Sequence, residues 1–365
     1  MDRKGHLARL ARAAGGEEVI EALVRMPARD LNSLLMHVLA ARAEQVTPLD
    51  LLAAQERGTA FAPGFVDPRA ALAAAQAAFE AASEFEAVEL APVTPLGAAR
   101  VLAAAHTNHV LTATRGAELV ADPTIPMALM AALRRRADAA RSQPLRLCAL
   151  QRVMRMQPPP PGLLPHFRIF ALMTAERRGR EDQTLREHID VYLRLFRVLG
   201  ERGYRFEEVR VDVSHTAAVE HRLGAEALAA VRREVRTHQW VDPDERAARY
   251  GLLPLRGDVQ DVVGAAGLPP PVARRLERIA ADVIAPLAAS YPWAQLRLDL
   301  TRLEGIGYYE GPCLRIEARP PGERSFSLVD GGFLGWTAAL LSDRRERLLS
   351  TGIGTDLVCA KFRAK

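Results

Sequence analysis

Two apolar runs, residues 144–156 and 166–174, stand on either side of Gln157 and four consecutive prolines, Pro158 to Pro161. Proline has no N–H to give to a β-ladder and belongs at edges and connections, so this pattern predicts two strands joined by a rigid polyproline tip. Further strand-like runs lie at 85–90, 206–213, 295–301, 313–318 and 325–329, and residues 109–114 and 117–121 read as a hairpin around Arg115-Gly116. Strands that pair without long helical crossovers predict an antiparallel sheet with helices against it, an α+β fold.

Helical periodicity fills the intervals. Residues 1–66 read as an all-helical arm, in which Asp30 can cap a run carrying Leu31, Leu34, Leu35, Val38 and Leu39. Asp67-Pro68 opens an Ala-rich helix to about Ser83, with proline in the first turn, where its missing N–H costs nothing. Helices are also predicted over 125–141, 183–202, 214–237 and 269–290, with 238–268 polar and Gly352 to Gly354 a turn before a short terminal helix. The expected organisation is an arm (1–66), a first part of the core (67–213), a helical insertion (214–290) and a second part of the core (291–365).

Lys+Arg total 49 against 44 Asp+Glu, and all but Lys4, Lys361 and Lys365 of the basic residues are arginines dispersed among Ala and Leu. That dispersion reads as a solvated surface, and with little aromatic interleaving it gives only weak support to nucleic-acid binding at 134–141 and 222–236. Cys148, Cys313 and Cys359 each sit in an apolar run and are too far apart for a metal knuckle, so buried thiols in a reducing compartment are expected. Neither a secretory signal nor a run of ~20 apolar residues is visible, which predicts a cytoplasmic protein without a membrane span.

Generic catalytic motifs are missing. His106-x-x-His109 lacks a third ligand cluster, His215 and His221 lie on an Arg-rich helix, and there is no nucleophile elbow or Walker loop. One constellation stands out: Asp122-Pro123-Thr124 opening a helix, Arg155 near a strand end, Phe167 on the next strand, and the turn Tyr308-Tyr309-Glu310-Gly311. A carboxylate with a hydroxyl can hold an ammonium group, an arginine can grip a carboxylate or phosphate, and an aromatic face can stack on a purine.

The order of these pieces resembles the class II aminoacyl-tRNA synthetase core, nearest to histidyl-tRNA synthetase and the ATP phosphoribosyltransferase regulatory subunit, over about residues 67–365. Residues 67–92 look like motif 1, the family's dimer element. Ala121-Asp122-Pro123-Thr124 sits where the family has Arg-Pro-Glu-Gly-Thr. Val153-Met154-Arg155-Met156-Gln157 is similar to the motif 2 strand, with Phe167 on the return strand, and Gly305 to Gly311 is similar to Gly-Leu-Asp-Tyr-Tyr-Thr-Gly. Gly331-Gly332 and Gly352-Ile353-Gly354 match two later glycine turns, the second being motif 3.

The departures decide what the resemblance implies. Where motif 3 ends in an ATP-clamping arginine, Gly354 is followed by Thr355, Asp356 and Leu357. Glu304 replaces an arginine, Gly307 an aspartate, and the return strand carries Ile169 and Met173 where the family has polar residues. About ten residues follow Gly354, too few for an anticodon-binding domain, so tRNA charging is not expected.

The resemblance therefore implies a non-catalytic paralogue that binds an amino acid-like or nucleotide ligand and regulates or scaffolds a partner such as a phosphoribosyltransferase. The alternative is an ATP-dependent carboxylate-adenylating ligase with a non-tRNA acceptor; ATP or another adenine nucleotide is the cofactor it would take, with Mg only if it adenylates. The implied ligand-binding residues are Asp122, Thr124, Arg155, Phe167, Glu304, Tyr308, Tyr309, Gly332 and Gly354, and the implied assembly is a homodimer. A carboxylate at Glu304 should repel an anionic ligand group unless an arginine pairs with it.

Overall fold

The computed structural model describes residues 3–103, 109–138, 143–157, 159, 163–236, 242–253 and 255–364. Their strands, in chain order, are β1 Glu86–Ala87, β2 Val93–Pro95, β3 Thr112–Ala113, β4 Ala117–Leu119, β5 Leu145–Met154, β6 His166–Arg177, β7 Glu208–His215, β8 Arg256–Gly257, β9 Ala294–Asp299, β10 Pro312–Arg319, β11 Phe326–Leu334 and β12 Glu346–Gly354. Nine of them form one sheet in the order β1-β5-β6-β12-β11-β10-β7-β9-β8, and β2-β4-β3 form a small second sheet. The run from β5 to β7 is antiparallel throughout; β1 joins β5, and β9 joins β7, in parallel.

The hairpin anticipated at the middle of the chain is β5–β6, paired from Leu145 opposite Ala175 to Met154 opposite His166. Of its tip, Pro158, Pro160 and Pro161 lie outside the described residues, as does His106. Both faces of the sheet are covered, so side chains alternate between two cores. Phe170, Leu172, Leu314, Ile316, Val211 and Val213 pack with helices Pro68–Ala81 and Glu181–Glu201. On the opposite face, Ile169, Ala171, Met173 and Leu348 pack with helix Thr124–Ala137.

Local chemistry explains the elements. Asp67 caps the helix at Pro68 by accepting from the Arg69 N–H at 2.8 Å. Its buried alanines, among them Ala74, Ala77, Ala78 and Ala81, let it lie close to helix Glu181–Glu201. Helix Thr216–Arg236 kinks at Gly224, whose φ of 70° an L side chain rarely adopts. The polar stretch 238–268 contains helices Pro243–Arg249 and Val259–Ala266, opened by Asp242 and Asp258 acting as caps, and also β8, which joins the far edge of the main sheet. The helical arm has its third helix at Ala28–Ala43, preceded by Pro27 without a side-chain cap and with Asp30 inside its first turn, and residues in its helices from Glu17 to Arg57 are not buried.

The glycines expected to make turns are strand residues. Gly331 and Gly332 lie inside β11 and Gly352 and Gly354 inside β12, with Gly331 opposite Thr351 and Gly332 opposite Ser350. A Cβ on Gly331 would collide with the Ser350 carbonyl oxygen and Thr351, so the glycine reflects close approach of strands, not chain reversal. The apolar run at 325–329 accordingly extends to Leu334. Conversely, the run at 85–90 shortens to Glu86–Ala87.

Cys148, Cys313 and Cys359 are buried free thiols, and burial pushes that of Cys148 up to about 11. Among the described residues no helix is long and apolar enough to cross a membrane. At the end of β6, burial raises the Glu176 carboxyl to about 7, with one oxygen accepting from Thr184 Oγ1 at 2.8 Å. The folded chain therefore keeps a proton that the unfolded chain loses above its ordinary 4.5. Stability from this group is complete below about pH 4.5, declines as pH rises, and is lost above about pH 7. Comparing urea unfolding of the native chain and Glu176→Gln across this window should show the variant gaining about 3 kcal/mol relative to the native chain at the alkaline end.

Candidate functional site

A cavity of about 540 Å³ opens on the sheet face that carries helix Thr124–Ala137. Its walls include Asp122, Thr124, Arg155, Phe167, Tyr308, Tyr309 and Gly354, and so bring together seven of the nine residues singled out in the sequence. Gly332 lies beneath it: a Cβ there would sit 2.7 Å from the Tyr309 ring. Glu304 is not on the cavity wall and pairs at 3.0 Å with Arg246 of helix Pro243–Arg249.

The polar wall is assembled at the start of helix Thr124–Ala137. Asp122 Oδ1 accepts from the Thr124 N–H at 3.0 Å and from Thr124 Oγ1 at 2.7 Å, an Asx arrangement that turns the chain into the helix. Arg155, just past β5, donates to the Ala121 carbonyl at 2.9 Å and to Asp122 Oδ2 at 3.2 Å, and its guanidinium lies 5.3 Å from the Phe167 ring centre. The arginine is thus occupied by the loop that carries the carboxylate.

The opposite wall is the Tyr308-Tyr309 turn. The two rings meet edge to face at 5.0 Å, and Tyr308 stands edge-on to Trp336. Tyr309 donates to Asp330 at 2.5 Å, and the same aspartate accepts from Arg302 at 2.7 and 2.9 Å. Arg302 is buried, donates also to the carbonyls of Leu314 and Glu304, and lies 5.4 Å from the Tyr309 ring centre. Burial opposes its charge, but Asp330 beside it holds the guanidinium more firmly protonated than an ordinary arginine. Burial, and then neighbouring carboxylates, push both tyrosine hydroxyls well up, so both remain proton donors at neutral pH.

Among the further wall residues, Asp330, Asp356, Phe65, Leu163, Leu164 and Pro165 do not belong to the binding residues that the sequence implied. Asp356 occupies the region of the expected motif 3 clamp and is itself tied to Arg168 at 2.8 Å. Its place after Gly354 was visible; its return to the cavity was not. Ile169 lines the cavity as an apolar side chain, whereas Met173 is buried in the core. Below the floor, Thr351 joins His188 Nδ1 and the Tyr192 hydroxyl, each at 2.9 Å, and burial pulls His188 down to about 3, so it is neutral.

No protein-family model matches the chain, and no curated protein sequence matches it. Solved structures do. An ATP phosphoribosyltransferase regulatory subunit/histidyl-tRNA synthetase from Bacillus halodurans aligns with TM-score 0.61 and 18% identity, covering 81% of this chain and 80% of that one. A histidyl-tRNA synthetase from Nostoc aligns at 0.62 and 14%, covering 83% and 74%. A histidine–tRNA ligase subunit from Alicyclobacillus acidocaldarius aligns at 0.54 and 19%, covering 83% and 96%. The fold is therefore a class II synthetase-like core.

The Tyr309–Asp330–Arg302 cluster gives a direct test of how the second wall is held. Asp330→Ala leaves a buried guanidinium uncompensated and should cost about 3 kcal/mol in denaturant unfolding. Tyr309→Phe removes one hydrogen bond and should cost about 1 kcal/mol. Equal losses in the two variants would contradict this arrangement.

Proposed function

We propose that this class II synthetase-like chain is a non-catalytic ligand-binding regulator or scaffold, and that its cavity takes an amino acid-like molecule through its amine. The observation that carries the reading is the charge of the walls. Asp122, Asp330 and Asp356 face the cavity, each paired with an arginine, and among its described lining residues the one cation, Arg155, is itself bound to Asp122, so no unpaired cation faces the space. A polyphosphate entering there would meet carboxylates in place of a free clamp. An ammonium group would find Asp122, Thr124 and the tyrosine hydroxyls, while an apolar body would rest on Phe167, Ile169 and Leu164.

The same charge argument weighs against the adenylating ligase. Pre-organised cations stabilise the charge that develops in phosphoryl and adenylyl transfer, and Arg155 alone, spent on Asp122, is a poor substitute for a clamp of two. Glu304, paired with Arg246, is not available to repel or attract a ligand in the cavity. The partner we favour is the catalytic chain of a phosphoribosyltransferase, supported by the likeness to the Bacillus halodurans protein. The described residues contain no group of His, Cys, Asp and Glu arranged to hold a metal, and the binding reading requires none.

Calorimetry with histidine, lysine, arginine and ATP tests the cavity. At least one of the amines should bind, at least tenfold more weakly to Asp122→Asn, and ATP should give no saturable heat. Amino acid-dependent pyrophosphate exchange with any standard amino acid would overturn the reading and favour the ligase.

We also propose a homodimer built on helix Pro68–Ala81. Leu90 is buried in the subunit's own core, so a charge there would disrupt the fold; Leu72, 72% exposed on the outer side of the helix, is the suitable probe. Light scattering at micromolar concentration should give a dimer that Leu72→Asp dissociates. A monomeric native chain would refute this assembly.

A further inference from the structure

The strand ends on the other face of the sheet carry a second cavity of about 660 Å³, between the start of helix Glu181–Glu201, helix Pro270–Ile279 and the residues that follow Tyr309. Its lining contrasts with that of the first. Four guanidinium groups, Arg180, Arg186, Arg278 and Arg347, line it, and among the described residues none of the four makes an ion pair. Of the four, Arg186 and Arg347 are half-buried, and comparably buried arginines elsewhere meet carboxylates, as in the pairs Arg146 with Glu187, Arg297 with Asp212 and Arg194 with Glu84. Three of them touch neutral acceptors: Arg186 donates to the Asp282 carbonyl, Arg180 to Gln183 and Arg347 to the Glu346 carbonyl.

The carboxylates of the cavity do not cancel this charge. Asp182 is consumed by Arg275 through two contacts of 2.6 Å, and Glu181 is turned back onto the Gly179 N–H at 2.8 Å. Glu181, Asp282 and Glu310 keep their charge against four arginines, so guanidinium groups remain in excess. The inner wall also holds an unsatisfied polar atom: His215 Nδ1 is buried and has no hydrogen-bond partner. Burial, and then Arg275, pull this imidazole down to about 4, so it is neutral and can donate or accept there.

We infer that this second cavity binds a small phosphate-bearing anion carrying at least two charges, held by Arg180, Arg186, Arg278 and Arg347 with His215 at its inner end. Guanidinium groups suit phosphate oxygens because each offers paired donors in a plane, and the volume lies in the range of small-molecule sites. The groups surround a concavity and do not form a stripe across an open surface, which favours a small phosphate over a nucleic-acid backbone. The site is independent of the amine-binding reading. It adjoins the first cavity through the chain, since Thr216 and Gly311 exchange two hydrogen bonds of 2.9 Å directly after Tyr308-Tyr309-Glu310.

Calorimetry on the full chain with pyrophosphate and with ribose 5-phosphate tests the inference. Saturable binding of either is expected, weakened at least tenfold in Arg186→Gln and in Arg278→Gln. It should be unchanged in Arg233→Gln, an exposed arginine outside the cavity, and in Asp122→Asn in the first cavity. Arg278 is itself exposed, so its variant should keep the native circular dichroism spectrum and report binding alone. Absence of saturable binding at millimolar ligand would overturn the proposal. So would equal weakening in Arg233→Gln, loss in Asp122→Asn, or binding of a single-stranded oligonucleotide without binding of either small phosphate.

Discussion

Arg302 is the residue on which the candidate site depends. Its buried guanidinium reaches Asp330 on β11, the Leu314 carbonyl on β10 and the Glu304 carbonyl in the loop before the double tyrosine. A charge buried this deeply is tolerated only when its donors are matched, so these partners fix the loop against the sheet. Tyr309 then lies over the guanidinium and donates to the same aspartate. The ring also needs the absent side chain of Gly332, because a Cβ there would enter it. One ion pair and one glycine thus place both tyrosines.

A second buried pair supports the other wall. Arg135, near the end of helix Thr124–Ala137, makes two contacts with Glu346 at the start of β12, at 2.5 and 3.0 Å, and further bonds to the carbonyls of Gln143 and Ala175. The helix that begins at Thr124, directly after Asp122-Pro123, is therefore tied at its far end to the strand that ends in Gly354. Truncating either partner would strand the other charge in a dry interior, so the pair constrains geometry whatever its net contribution to stability. Between the two pairs, the cavity is walled by elements that are individually anchored.

The two cavities differ in the state of their arginines. In the first, cations are satisfied by aspartates before any ligand arrives, leaving carboxylates and hydroxyls toward the space. In the second, Arg180, Arg186, Arg278 and Arg347 have no carboxylate partner among the described residues. The ligands proposed for them are accordingly of opposite sign, an amine on one face of the sheet and a phosphate on the other. The Tyr308 to Pro312 segment is the shared wall, contributing its tyrosines to one cavity and Glu310, Gly311 and Pro312 to the other.

Much of this was legible in the chain itself. Proline placement and apolar runs determined the β5–β6 hairpin, Asp67-Pro68 determined the start of the helix at Pro68, and the chemistry and order of Asp122, Thr124, Arg155, Phe167 and the double tyrosine brought six of the first cavity's residues to notice. These are local signals, since caps, turns and strand alternation act within a few residues. The glycines at 331–332 and 352–354 were visible but misread as turns, because a glycine needed for close strand packing looks in sequence like one needed for chain reversal. Partner choice was not legible at all. Only the tertiary structure decided that Glu304 meets Arg246, that Asp356 meets Arg168, that Asp330 meets Arg302, and that four arginines gathered in one cavity make no ion pair among the described residues. Charge pairing depends on distance in space, and in a chain with 49 basic and 44 acidic residues composition permits nearly any of these pairings.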